Sequence, residues 1–505
     1  MQRGTSERTR LVRYGEPAGR WVLFATVLGS ALAFIDATVV NIALPRLGMA
    51  LGAGAAGLQW TINGYTLSLT SFILLGGSLG DRFGRRRMFV LGTIWFAIAS
   101  FACGIAPSMS VLIAARVIQG MGGALLTPGS LALLETSFEP GDRARAVGAW
   151  SGLGGVAGAL GPFLGGWLVE VASFRLVFFI NLPLALLVVL VTLRHVPESR
   201  DPERGSGLDV MGALTAVLSL GAITYGFTAW PEVGPRSPSV LIAFVLGIAG
   251  ALGFVVVEGT SSQPMLPLGM FRSRAFTAAN LVTLAVYAAL GGMLFFVALN
   301  LQVVAGFTPL AAGTALLPVT VLMLLFSARA GSLAERIGPR YPMTAGPLVC
   351  AVGLLLLARV GPKASYLAQV FPGVLVLGLG LAMTVAPLTA TALGSVDERR
   401  AGIASGVNNA VARAGGLLAV AVLPAASGLG QGSLTRPESL APTYRAAMLL
   451  CAGLLSAGAA IAFLAIPSRK GPRAEQPYRA WARLYCAIAG TPLQPEPRSW
   501  QGKSR

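Results

Sequence analysis

The chain has 505 residues, of which 54% are hydrophobic and only 11% are charged, against about 25% charged residues in an ordinary soluble domain. Together with a mean hydropathy of +0.72, this composition excludes a soluble globular protein and indicates that lipid is the main solvent. The net charge of +18 is explained by basic residues gathered on one side of a membrane, so a nucleic-acid partner is not expected.

Membrane-spanning helices need about 20 predominantly apolar residues, and runs of this kind occur fourteen times. The sequence therefore predicts an all-α integral membrane protein with short connections between antiparallel neighbours. The predicted spans are 21–44, 58–79, 87–106, 110–133, 143–169, 175–193, 208–228, 238–258, 275–302, 309–331, 340–360, 367–391, 400–425 and 444–466.

Basic residues set the predicted orientation, because cytoplasmic loops retain Lys and Arg. With the N-terminus inside, 28 of the 38 Lys and Arg residues fall on the cytoplasmic side and 7 on the other side. The protein is therefore expected in the plasma membrane, with both its N-terminus and its C-terminus in the cytoplasm. Five arginines and an Ala31-Leu32-Ala33 sequence resemble a cleavable signal, but the apolar run continues through Ile42 and favours a retained first span.

An internal repeat divides the chain. The ten-residue segment at residues 77–86 is similar to the segment at residues 331–340, 254 positions later. Each segment lies at the cytoplasmic end of a predicted helix. Spans 9–14 are thus predicted to be a second copy of spans 1–6, with spans 7 and 8 inserted between two pseudo-symmetric six-helix bundles. The predicted regions are a cytoplasmic segment (1–20), the N-terminal bundle (21–193), loops with the inserted helices (194–274), the C-terminal bundle (275–466) and a basic cytoplasmic tail (467–505).

Asp36 is the only acidic residue well inside a predicted span, and an ionisable group there costs at least about 2.5–3.5 kcal/mol unless it faces a cavity or a partner. Arg116 is the predicted partner, because the two residues lie roughly 13 and 9 Å from the outer ends of their helices. An arginine favours the charged carboxylate and burial disfavours it, so substrate arrival or a helix movement can switch protonation. The pair is a candidate proton-coupling site; a structural ion pair is the alternative.

The repeated ten-residue segment is interpreted as a conformational latch. The carboxylates of Asp81 and Glu335 are expected to accept hydrogen bonds from an arginine or a helix N-terminus. Positive-inside topology alone is the alternative for the basic loop. The latch residues are Gly77, Gly80, Asp81, Arg82, Gly84, Arg85, Arg86, Glu335 and Arg336.

Small residues crowd the fifth span at intervals of three to four, which allows close helix contact, and a proline permits a bend. The pattern indicates a bending or sealing element between the halves. Its residues are Gly148, Gly158, Gly161, Pro162, Gly165 and Gly166.

Further polar and aromatic residues within the spans are candidates for lining a substrate cavity, although aromatic residues at helical spacing also serve packing. Arg413, near the middle of the membrane, could equally hold a substrate anion or pair with a helix carbonyl. The candidates are Asn41, Trp60, Asn63, Tyr65, Gln119, Asn280, Asn300, Gln302, Asn408, Asn409 and Arg413.

Other chemistry is disfavoured. The four cysteines are widely spaced and His195 is the only histidine, so neither a disulfide framework nor a metal site is expected. A membrane enzyme would need converging His, Cys or carboxylate groups that the spans do not provide. No GxxxxGK[ST] motif is present, so ATP is not expected as the energy source.

Taken together, the motifs over residues 20–466 resemble those of the major facilitator superfamily, and specifically its fourteen-helix drug:proton antiporters of the EmrB/QacA type. Residues 77–87 match the cytoplasmic loop motif. The fifth-span glycines match the antiporter motif, with Ala157 where a glycine is usual. The fourth-helix motif, whose arginine is implicated in proton transfer, is matched by Leu112, Arg116, Gln119, Gly120 and Gly122, and the first-helix motif by Asp36, Thr38, Asn41, Ala43, Leu44 and Pro45.

The resemblance implies export of a small hydrophobic compound, such as a drug or an antibiotic, in exchange for protons, by alternating access between two rigid halves. Its expected partners are the substrate, protons and the bilayer; no cofactor is expected, and the protein is expected to act as a monomer. The absence of acidic residues in the middle of spans 9–14 favours neutral, anionic or monocationic substrates over dications. An uptake symporter of a small metabolite on the same fold is the alternative.

Overall fold

The computed structural model describes residues 11–199, 209–261, 264–396, 401–428, 434 and 436–468. The predicted all-α fold is confirmed; the first ten residues and the predicted tail beyond residue 468 lie outside this range. The helices are α1 (Pro17–Leu51), α2 (Ala55–Phe83), α3 (Arg85–Ile105), α4 (Met109–Ser137), α5 (Pro140–Val171), α6 (Leu176–Phe179), α7 (Asn181–His195), α8 (Val210–Val233), α9 (Pro238–Thr260), α10 (Arg274–Leu299), α11 (Pro309–Thr314), α12 (Leu317–Ile337), α13 (Arg340–Leu357), α14 (Phe371–Gly394), α15 (Ala401–Ala426) and α16 (Pro437–Ala465).

Local sequence signals explain where several helices begin and end. Ser108 and Ser273 cap the N-termini of α4 and α10, where their hydroxyl oxygens accept hydrogen bonds from the backbone N–H groups of Val111 and Phe276. These bonds satisfy N–H groups that have no partner inside the helix. Gly52 ends α1 in the left-handed conformation, with φ of 61°, which glycine adopts without steric cost.

By length and composition, 12 helical segments in the described part of the chain can span a membrane. Two further predicted spans, 58–79 and 143–169, lie in α2 and α5, which are helical but are not among the 12. The hydroxyl and amide residues of α2 lower its hydropathy, and α5 provides only a shorter apolar stretch, Val156–Val171. A total of fourteen spans therefore stays a prediction.

The helices pack in two groups that repeat one another. In the group from α1 to α7, α1 packs on α4, α5 and α7, α2 on α4, and α3 on α4 and α7. In the group from α10 to α16, α10 packs on α14, α15 and α16, α12 on α14, and α13 on α14 and α16. Helix α10 thus takes the position of α1, and α16 that of α7. We call these groups the N half and the C half. Gly84 and Gly338, 254 residues apart, both have positive φ, at 111° and 91°, so the repeated loop makes the same backbone turn in each half.

Helices α8 and α9 form a hairpin at the boundary between the halves, because α8 packs on α2 of the N half and on α15 of the C half. The partner helix α9 buries only 22% of its apolar window. Its exposed side chains include Leu241, Val245, Leu252 and Val256. An apolar surface of this extent requires a lipid environment.

The start of α1 and the end of α16 lie on one face of the helix bundle. Gln302, just beyond α10, donates a 3.0 Å hydrogen bond to the carbonyl of Ile42 in the second half of α1, so α1 and α10 run parallel. Arg274, at the start of α10, donates to the carbonyl of Leu464 at the end of α16. We call the face with the start of α1 and the end of α16 the terminal face, and the other the opposite face.

Candidate functional site

A buried ion pair lies inside the N half. Asp36 of α1 and Arg116 of α4 are 0% and 1% exposed, and Arg116 Nη1 donates directly to Asp36 Oδ2. Arg116 also donates from Nη1 to Gln119 Oε1 at 2.7 Å and from Nε to the carbonyl of Thr61 at 3.1 Å. The structure thus brings together the two residues predicted to meet within the membrane.

Two amides complete the surroundings of the carboxylate. Gln119 Nε2 and Asn181 Nδ2 each donate to Asp36 Oδ1 at 2.9 Å, and Asn181 also donates to Ser100 Oγ at 3.0 Å. With three side-chain donors directed at it, Asp36 is arranged as an ionised acceptor. Gln119, which the sequence analysis assigned to the substrate cavity, is fully buried in this cluster instead. Asn181 was missed by the sequence analysis.

Tyr65 of α2 packs against Arg116 of this cluster. The guanidinium carbon of Arg116 lies 4.3 Å from the centre of the Tyr65 ring, within the range of a cation–π contact. The Tyr65 side chain is 1% exposed, yet its hydroxyl has no hydrogen-bond partner. Asp36, Arg116, Gln119, Asn181 and Tyr65 are called the proton cluster below.

The loop motif at residues 77–86 is held on the terminal face. Asp81 accepts a 2.8 Å hydrogen bond from Arg85 Nε, which pairs the predicted latch carboxylate with an arginine. Glu198, after α7, accepts a 3.0 Å hydrogen bond from the backbone N–H of Arg86 and lies 3.8 Å from Arg87 Nε. Gly84 has φ of 111°, a conformation that side chains rarely adopt, and a Cβ there would also lie 2.8 Å from the Glu198 carboxylate, so the turn favours glycine.

The other latch residues have simpler surroundings. The guanidinium of Arg82 lies over the ring of Phe83 at 5.3 Å, and Gly80 accepts a backbone hydrogen bond from Gly84 at 3.0 Å. Gly77 lies in α2. In the repeated loop, Arg336 is exposed, whereas the side chain of Glu335 lies outside the described residues.

The glycine-rich face of α5 packs against α1. Thr38 donates a 3.0 Å hydrogen bond to the carbonyl of Gly158, and a Cβ on Gly161 would clash with the Thr38 hydroxyl. A Cβ on Gly165 would lie 2.8 Å from the backbone oxygen of Val39. These glycines therefore hold α5 close to the helix that contains Asp36. Gly148 is within α5, outside the residues whose surroundings are described.

The same helix also meets the C half, near the opposite face. Gly166 abuts the backbone of Pro309 and Leu310 in α11, and Gly313 of α11 abuts the backbone of Pro162. Glu170 Oε2 accepts a 3.0 Å hydrogen bond from the N–H of Leu310. We call these contacts the opposite-face gate. Together with the hydrogen bond from Gln302 to α1, they hold the N half and the C half together at the opposite face.

The remaining cavity candidates are distributed over both halves. Asn41 Nδ2 donates to the carbonyl of Ala37, and Asn280 Nδ2 to that of Phe276; Asn408 donates to Thr283 Oγ1 at 2.8 Å. Asn300 is fully buried and donates to the carbonyl of Val360. Asn63 is buried without a hydrogen-bond partner, Trp60 is half-buried and Asn409 is exposed.

Comparison with known proteins identifies the family. The model of the Major Facilitator Superfamily matches residues 26–420. The chain belongs to the Major Facilitator Superfamily. Among its relatives is the "Multidrug resistance protein Stp" of Mycobacterium tuberculosis, 37% identical over 402 residues, covering 79% of this chain and 74% of that protein.

Other relatives in the Major Facilitator Superfamily are similar over much of their length. The "Puromycin resistance protein pur8" of Streptomyces alboniger is 34% identical over 467 residues, covering 90% of this chain and 92% of that protein. The "Tetracenomycin C resistance and export protein" of Streptomyces glaucescens is 35% identical, covering 79% and 74%.

Solved structures support the Major Facilitator Superfamily fold. A bacterial homologue of the human lysosomal transporter Spinster, in an inward-facing and unoccupied conformation, matches with a TM-score of 0.60 at 21% identity, covering 89% of this chain and 97% of that chain. A POT family transporter matches with a TM-score of 0.66 at 14% identity, covering 89% and 96%. Family and fold together make the chain a multi-pass membrane transport protein and not an enzyme.

Proposed function

We propose that this protein exports small hydrophobic compounds, such as drugs or antibiotics, across the cytoplasmic membrane in exchange for protons. The observation that supports the proposal most is the proton cluster: a fully buried carboxylate, held by three donors, inside one of two packed halves. The relatives' names, which include multidrug resistance and export, favour outward movement of the substrate. The excess of Lys and Arg favours a cytoplasmic terminal face.

Coupling follows from how Asp36 is held. A carboxylate that accepts three hydrogen bonds takes up a proton less readily than one that has lost a donor, because hydrogen bonds to the charged form favour that form. Arg116, Gln119 and Asn181 come from α4 and α7, so a shift of these helices relative to α1 changes the protonation of Asp36. Because α1, α4 and α7 all belong to the N half, proton uptake is linked to a rearrangement within that half, which changes how it packs on the C half.

Alternating access follows from the opposite-face gate. With a cytoplasmic terminal face, the halves meet on the extracellular side, so the transition to the outward-open state must separate α5 from α11. One proton moving through about 150 mV supplies roughly 3.5 kcal/mol, enough for an approximately 300-fold substrate gradient. No cofactor is required.

Inverted membrane vesicles test this function directly. Their lumen is acidified by respiration, and a fluorescent pH probe then reports proton movement as neutral, anionic and cationic drugs are added singly. Substrate-triggered release of protons from the lumen is the expected result, absent from vesicles without the protein. If protons moved into the lumen together with the substrate, the result would indicate symport. If drugs entered the vesicles without any movement of protons, the result would contradict proton coupling.

Glu198→Gln is expected to slow export while leaving the fold intact. Glutamine keeps an acceptor for the Arg86 N–H but loses the negative charge facing Arg86 and Arg87. Since the Arg87 side chain is 65% exposed, the loss of stability should stay below about 1 kcal/mol. Initial export rates and thermal unfolding of the purified protein measure the two effects. Glu438→Gln, at an exposed carboxylate near the start of α16, is the control; equal export by both variants would show that Glu198 has no part in the cycle.

A further inference from the structure

Arg413 is a charged side chain at the boundary between the two halves. It lies on α15, which packs on α10 within the C half and on α2 of the N half. A Cβ on Gly416, one turn further along α15, would lie 3.9 Å from the backbone oxygen of Tyr287 in α10. Arg413 is also within electrostatic range of Tyr65 and Tyr287.

The Arg413 guanidinium has no anionic partner among the described residues. No described salt bridge includes it, and its Nε is enclosed without a hydrogen-bond partner. The residue as a whole is partly exposed, and Asn409, one turn closer to the terminal face, is exposed. An arginine between the halves without an anionic partner favours a negative group supplied from elsewhere.

Nearby groups are suited to the same ligand. The Tyr65 hydroxyl is buried and unpartnered, and it can donate a hydrogen bond to an acceptor. Asp36, a carboxylate buried in the N half, is already bound by Arg116, Gln119 and Asn181. A planar guanidinium binds carboxylate or phosphate oxygens with two parallel hydrogen bonds.

We propose that Arg413, together with the Tyr65 hydroxyl, binds a carboxylate or similarly acidic group of the exported compound. The inference rests on the proposed export function, since it names the substrate's recognised group. Tyr65 packs on Arg116 and lies within electrostatic range of Arg413, so an anion bound to Arg413 adds negative charge near the proton cluster. Substrate binding and protonation of Asp36 are thereby linked electrostatically.

The experiment uses the full-length protein in lipid nanodiscs and two matched probes, pyrenebutyrate and its primary amide, pyrenebutyramide. Both have the same apolar ring and chain, and only the first is an anion. Wild-type protein is expected to bind pyrenebutyrate at least about tenfold tighter than the amide, as measured by fluorescence anisotropy. Arg413→Gln should bind the two probes equally, and Arg413→Lys should keep part of the preference.

Control variants separate the possible failures. Arg329→Gln removes an exposed arginine on α12 that donates to its own helix, and it should keep the wild-type preference. Asp36→Asn, which removes the linked negative charge, should show a preference at least as large as that of the wild type while losing proton-linked export. A wild-type protein that shows no preference, or an Arg413→Gln variant that retains it or weakens both probes equally, would overturn the assignment. If the wild-type protein preferred pyrenebutyrate but no drug triggered proton release in vesicles, proton coupling would be rejected and the anion site would still be supported.

Discussion

Replacing Asp36 with asparagine is expected to reduce proton-linked export to the level of vesicles without the protein. Asparagine has nearly the same shape but does not take up a proton at neutral pH, so the substrate can bind without any coupled proton movement. The measurement is substrate-triggered proton release from acidified inverted vesicles, together with substrate binding to purified protein. Binding should remain while proton release disappears.

A buried charge left without its partner complicates this variant, because Arg116 remains 1% exposed. Removing one member of a buried pair costs about 3–5 kcal/mol, which can lower the amount of folded protein. The double variant Asp36→Asn, Arg116→Gln replaces the pair with neutral hydrogen-bonding groups. We expect it to recover thermal stability relative to the single variant without recovering proton release.

Glu258→Gln is the matched control for a buried carboxylate. Glu258 is 3% exposed and accepts a 2.9 Å hydrogen bond from the Leu266 N–H, but it belongs to the α8–α9 hairpin and not to the proton cluster. Its substitution should leave proton release intact. Unchanged proton release in Asp36→Asn, with folded protein present, would show that another group couples protons to transport.

The central ion pair was predictable because charge inside a membrane follows a strict rule. An isolated carboxylate within an apolar span requires a partner, and Arg116 was the arginine at a compatible depth. Asn181 gave no comparable signal, since a neutral amide at the start of an apolar helix is common and costs little. Gln119 lies three residues after Arg116, on the same helix face, and that spacing could have placed it beside Asp36.

Contacts distant in sequence explain what else the sequence did not predict. The repeat in the sequence is matched by equivalent turns at Gly84 and Gly338, because similar local sequences fold alike in the two halves. Glu198 closes on that turn from 112 residues away, and no local pattern marks a carboxylate after α7 as its partner. Similarly, the spacing of glycines in α5 predicted close packing, but not that one side contacts α1 while Gly166 contacts α11.

Gly166→Ala is expected to shift the protein away from the closed opposite-face gate. The added Cβ would lie 2.7 Å from Leu310 Cα and closer still to the Pro309 carbonyl oxygen, both backbone atoms that cannot rotate aside. A clash of this kind costs about 1–3 kcal/mol, so the population of the closed gate should fall by about tenfold. Spin labels on α5 and α11 at the opposite face should report a larger share of long distances, and export should slow because the cycle no longer returns readily to the inward-open state.

Gly158→Ala is the matched control, because it makes the same chemical change in the same helix. Its Cβ would lie 3.5 Å from the Phe34 Cβ, an ordinary van der Waals contact, inside the N half. Gly313→Ala, whose Cβ would meet the Pro162 backbone from the other side of the gate, should behave like Gly166→Ala. Since alanine favours the helix over glycine in all three variants, a general effect on helix stability predicts one outcome for all. If the added methyl groups push the halves apart, only Gly166→Ala and Gly313→Ala should change the distances between the spin labels on α5 and α11. Equal distances in all three variants would contradict a gate at this position.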